Sequence, residues 1–165
     1  MRTVLAALTV AGAVAGGPAL AREIDPQAAV RYYLVSENDH VLAAADSASR
    51  VELADGHVRI DAVFIYVESP DADGHVYFLA TLEFDCHGTQ GWRSAARAKA
   101  GPDGVVTGRD AGSPEWRAIT PGSVSENMAA YACQRAPEDN DLFFTGRLGD
   151  LRSGYLATRK AANKT

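Results

Sequence analysis

The sequence predicts an α+β domain: an antiparallel meander of five or six strands with one C-terminal helix packed on it, tied by a disulfide. Three observations lead there. Residues 76–86 alternate apolar and polar with a period of two, a helix-capping signature opens at Ser123, and the only two cysteines, Cys86 and Cys133, fall one in each element. A period of two marks a strand, and a segment capped and followed by an apolar stripe marks a helix.

The elements follow in chain order. The first residues, MRTVLAALTVAGAVAGGPALA, hold one cation at Arg2, an apolar run and an Ala19-Leu20-Ala21 ending, so residues 1–21 read as a secretory signal peptide. No cysteine sits immediately after that leader, so a lipid anchor is not expected. The remainder divides into one domain over 22–135 and a C-terminal extension over 136–165, partly disordered at its end. RYYLVS at 31–36 and VLAAA at 41–45 are short strands, and VRIDAVFIYVE at 58–68 is a central strand with apolar groups on both sides. The turn SPDADG leads into the strand from Val76, and a second hairpin through His87 to Gly91 leads into the strand that starts at Trp92. Val105 to Thr107 is a last short strand.

In the strand from Val76, Cys86 lies on the row with Phe84 and Leu82, while Glu83 and Asp85 point to the other, exposed face. Placing Cys86 opposite Trp92 sets Asp85 against Arg93 and Thr81 against Arg97, an opposite-charge pairing that supports the register. In PGSVSENMAAYAC, Ser123 is the N-cap and Glu126, three residues on, completes a capping box. Met128, Ala129, Ala132 and Cys133 share one stripe of that helix, with Glu126, Asn127 and Tyr131 opposite. An exported chain whose two cysteines both face inward most simply bridges Cys86 to Cys133; free, metal-binding or catalytic cysteines are the alternatives.

Beyond Cys133, APEDND reads as a polar loop and LFFTGRLGDLRSGYLATRK as a docked extension or weak helix. Residues 22–144 carry 10 basic against 20 acidic residues, and 145–165 carry 5 against 1, so the basic tail is expected to fold back on the acidic body, with contact to an anionic partner as the alternative. The net charge of −5 argues against nucleic acid as a partner. No G-x-S-x-G elbow, phosphate loop or H-x-x-x-H spacing occurs, so no catalytic residue, metal site or cofactor is expected. Asp71-Ala72-Asp73-Gly74 reads as a turn because a calcium loop in that frame would place Ala80 where a bidentate Glu is needed. Glu83 and Asp85, on one strand face, are assigned to structural ion pairs rather than to glycoside chemistry.

Phe84-Asp85-Cys86, Trp116, Pro121-Gly122-Ser123, Glu126 and Ala132-Cys133, in this order, resemble the bacterial surface-adhesin protein E-like family. The resemblance covers residues 31 to 133. It implies a curved antiparallel sheet flanked by a helix, bridged cysteines and a core role for Trp116 beside the helix. It also implies a relative of a surface lipoprotein that binds host matrix and plasma proteins. The expected function is an exported, non-enzymatic module, periplasmic or secreted, that recognises a protein partner, with a homodimer possible. A haem-like small-ligand carrier using His40, His57, His75 and His87 is the alternative, followed by an envelope enzyme working through carboxylates.

Overall fold

The computed structural model describes residues 29–87, 91–133 and 143–162. The expected leader, the polar loop and the hairpin tip at 88–90 lie outside them. One antiparallel sheet is built from β1 (Val30–Glu37), β2 (Val41–Glu52), β3 (His57–Tyr66), β4 (Tyr77–Asp85), β5 (Gly91–Ala100), β6 (Val106–Asp110), β7 (Ser113–Ala118) and β8 (Phe143–Gly146). Two helices accompany it, α1 (Val124–Cys133) and α2 (Leu148–Ala162). The strand order is β6-β5-β4-β3-β2-β1-β8, and β7 also pairs with β5. β6 and β7 share the outer edge of β5, meeting Ala100 to Arg97 and Ser94 to Gly91 respectively. They are effectively one edge strand broken at Ala111-Gly112. The meander is therefore as expected, with more strands than the five or six anticipated.

Two cores, one on each face, replace the single buried face expected for the strand from Val76 and match the apolar groups on both sides expected of residues 58–68. On one face Ala43, Ala45, Ile60, Ala62, Leu82 and Phe84 meet Met128, Ala129 and Ala132 of α1. On the other, Leu42, Ala44, Val63, Ile65, Tyr77 and Leu79 meet Leu148, Leu151 and Tyr155 of α2. The small side chains Ala129 and Ala132 let α1 lie close to the strands, and Arg50 Nε donates to the carbonyl of Ala132 (2.8 Å), supplying the cation that the last turn of α1 lacks. Tyr131, expected to be exposed, is half-buried, its ring 6.1 Å from that of Tyr33.

After Cys133 the chain docks on the sheet as a strand and a helix, in line with the docked extension or helix expected: β8 pairs with Val30 to Tyr33 and α2 supplies core side chains. The basic tail does fold back. Arg152 donates to the carbonyls of Tyr66 (2.7 Å) and Val67 (2.8 Å), Tyr155 donates to Glu37, and Arg159 pairs with Asp39 (2.7 Å). At the start of α2, the backbone of Gly149 presses so closely on Asp103 and Gly104 that neither glycine has room for a Cβ.

The β4–β5 register differs from the expected one. Phe84 faces Trp92, Glu83 faces Arg93 and Ala80 faces Arg97. The hairpin spends two more residues than anticipated, and a bulge between the Thr81 and Leu82 pairs shifts the rest by one. The longer turn leaves Cys86 outside the ladder, where it is bonded to Cys133 with a Cα separation of 5.5 Å.

Candidate functional site

The site is built on the α2 face. α2 crosses the strands at one end of the sheet only, touching the β5–β6 turn through Gly149, the end of β3 through Arg152 and the β1–β2 turn through Arg159. Beyond it the same face turns polar, row by row. Asp46, Asp61 and Thr81 lie side by side on β2, β3 and β4, and the next row is Arg59, Glu83 and Arg93. Thr81 Oγ1 donates to Asp61 Oδ1 (2.6 Å), and the backbone N–H of Asp61 donates to Ser49 Oγ (2.7 Å).

Glu83 is 1% exposed, contrary to its expected outward position. The cause is its two cross-strand neighbours, whose long side chains lie over it. Arg59 Nε donates to Oε1 (2.8 Å) and Arg93 Nε donates to Oε2 (2.7 Å). Burial pushes the Glu83 carboxyl up, but the two guanidiniums together outweigh it and hold it below the usual carboxylate range. A carboxylate so clamped is a poor proton acceptor at neutral pH. Glu83 sits in an ion pair as expected, but with different partners: Arg93, expected opposite Asp85, and Arg59, which the sequence did not reveal. Asp85 faces His57 across β3 and β4.

Trp116 sits on this face, 40% exposed, and not in the core beside the helix as the resemblance implied. Its ring lies 4.7 Å from the Arg93 guanidinium and 4.6 Å from the His57 ring. The reason is a repeated Trp-Arg dipeptide, Trp92-Arg93 on β5 and Trp116-Arg117 on β7. Trp92 and Arg117 are paired across the two strands, with the Arg117 guanidinium 5.6 Å from the Trp92 ring. Each face of the strand pair thus receives one stacked Trp and Arg, which pins the edge strand. That repeat was the one signal in the sequence that could have placed Trp116.

The remaining expected residues are structural. Ser123 precedes α1 and accepts from the Glu126 N–H (3.4 Å), while Glu126 Oε2 accepts from the N–H of Gly122 (2.7 Å), one residue earlier than in a strict capping box. The histidines do not converge. His40 pairs with Glu68 (3.0 Å), His57 stacks on Trp116, His75 bonds to Asp71 and Thr107, and His87 packs against Gly56. Asp71, Asp73 and His75 offer ligand atoms within 4.8 Å of one another. The Lys99 ammonium already lies 3.0 Å from Asp71 and 3.8 Å from Asp73, and it holds the Asp71 carboxyl far below its usual range.

No family model matches this chain, and neither does any curated protein or solved structure. Among the described residues no helix is long and apolar enough to cross a membrane.

Proposed function

We propose that the protein is an exported, non-enzymatic binding module that recognises a protein partner at the cell envelope through the polar half of its α2 face, around Trp116. The observation that carries this reading is the mounting of Trp116: a large aromatic, well exposed, seated on Arg93, which is in turn anchored on the buried Glu83. Burying a charged triad costs desolvation that its own attraction barely offsets, so its benefit lies in holding surface groups in one arrangement. Tryptophan and arginine are also the residues that dominate binding energy in protein interfaces.

The edges of the sheet favour recognition less. β7 carries Pro114, the β6–β7 strand is broken at Ala111-Gly112 and studded with Arg109, Asp110, Glu115 and Arg117, and β8 has four residues. Short, charged and interrupted edges resist strand addition. The bridged cysteines support export, and the resemblance to the surface-adhesin protein E-like family supports a partner outside the cytoplasm. The test is photo-crosslinking of the wild-type chain and of Trp116→Ala in envelope preparations. A protein captured by the first and lost from the second supports the reading; identical capture patterns would refute it.

A further inference from the structure

We infer that Thr107 is a modification site: its hydroxyl, set against the His75–Asp71 pair, is a nucleophile that takes up an acyl group from an activated ester. The inference goes beyond recognition through Trp116 and does not rest on it, since the two sites belong to opposite faces of the sheet. Thr107 adjoins the row of Lys99, Phe78 and Phe64, cross-strand partners on β5, β4 and β3 whose two phenylalanines pack against the α1-side core.

Thr107 owes its position to a bulge. Val106 is opposite Ala100 and Gly108 is opposite Lys99, so Thr107 is the extra residue of β6 between those pairs. An extra residue of this kind re-aims a side chain. Here the hydroxyl meets the end of the turn between β3 and β4, with Thr107 Oγ1 2.9 Å from His75 Nε2. On the other side of the ring, His75 Nδ1 lies 3.0 Å from Asp71 Oδ1. A carboxylate can only accept, so Nδ1 carries the ring proton; on the neutral imidazole Nε2 is then the acceptor and the Thr107 hydroxyl the donor. Asp71 is itself held in place. Its Oδ1 accepts from the backbone N–H groups of Asp73 (3.0 Å) and His75 (2.9 Å), and its Oδ2 accepts from Lys99 Nζ (3.0 Å), which keeps the group ionised. A hydroxyl bonded to an imidazole that a third group orients is the arrangement that turns a side-chain oxygen into a nucleophile.

The hydroxyl is within reach of a reagent. Thr107 is exposed, and a Cβ placed on Gly108, the next residue, would meet nothing within 4 Å. Across the sheet from Gly108 come Lys99, Phe78 and Phe64, at about 4.8 Å per strand. The Phe64 and Phe78 rings, 5.8 Å apart and half-buried, give an acyl chain attached at Oγ1 an apolar surface to lie along. In the transfer, Oγ1 attacks the ester carbonyl carbon while its proton passes to His75 Nε2. The bond from that carbon to the leaving oxygen then breaks, and the departing oxygen takes the proton back from Nε2. The products are O-acylated Thr107 and a free alcohol or phenol. One acyl group is taken up per chain, so the transfer is a modification and stands beside the non-enzymatic reading.

The test is to treat the full, disulfide-bonded chain with para-nitrophenyl octanoate, follow nitrophenol release and locate the adduct by peptide mass spectrometry. The wild type and Thr107→Ser are expected to give a burst of nitrophenol and a hydroxylamine-labile ester at residue 107, and Thr107→Val to lose both. His75→Gln should form the ester about 100-fold more slowly, the share a positioned base contributes. Asp71→Asn, which changes the group that orients the ring, should slow it too and shift the His75 ring nitrogen resonances, which report where the imidazole proton sits. Thr107 is exposed on an edge strand, so circular dichroism of its variants should match the wild type. Acylation confined to lysines and the N-terminus, or an ester that forms as fast in His75→Gln as in the wild type, overturns the inference and leaves recognition through Trp116 untouched. Steady nitrophenol release that needs both Thr107 and His75 would uphold the nucleophile and overturn the non-enzymatic reading instead.

Discussion

Glu83→Gln should destabilise the fold by about 2–3 kcal/mol at pH 7. The substitution keeps the side chain's size and removes its charge, leaving Arg59 and Arg93 beside each other across β4 without the anion between them. Breaking a buried ion pair by deleting one partner typically costs about 3–5 kcal/mol. Here the two guanidiniums are 28% and 32% exposed and regain part of their hydration, which lowers the figure. Urea unfolding followed by tryptophan fluorescence gives the difference, with a companion fall in Tm of about 2 to 4 °C for each kcal/mol in a chain of this size. The pH dependence sharpens the test. Because the folded carboxyl is held below its unfolded value, its contribution is complete above about pH 4.3 and disappears as pH falls through the folded value. The gap between wild type and Glu83→Gln should therefore be full at pH 7 and shrink in acid. A cost below about 1 kcal/mol at pH 7, or a gap that does not change with pH, would show that the triad is not the ionised clamp described above.

Replacing Cys86 or Cys133 by serine should each cost up to about 4 kcal/mol for a bridge spanning 47 residues, and the double variant little more than either single, as read by urea midpoints. Gly112→Ala should be among the most damaging small substitutions, because Gly112 has φ +71° and its missing Cβ would collide with the backbone of Ser94; loss of the folded circular dichroism signal at 37 °C reads it. Arg152→Ala should cost about 2 kcal/mol by releasing α2 from the carbonyls at the end of β3, with faster amide exchange in α2 as the local signature.

Several features were legible from residue order because they depend on near neighbours. The capping of α1 needs only Ser123 and Glu126 three residues apart, and the strand from Tyr77 needs only its alternation. The pairing of two cysteines follows from there being no third. Which residues share a strand face was also readable: Arg59 and Asp61, or Glu83 and Asp85, are separated by two positions. The tertiary structure alone decided which strand met which residue. Alternation says nothing about how many residues a turn consumes, and two extra residues moved Arg93 from Asp85 to Glu83. It also decided that both faces are covered, because α2 has the glycines of a weak helix and is held by Arg152, Tyr155 and Arg159 reaching groups far away in the chain. Trp116 shows the same division. The family resemblance implied a core position, but a stacked guanidinium from the neighbouring strand satisfies one side of the ring and leaves it at the surface, over a buried charge that no local pattern announces.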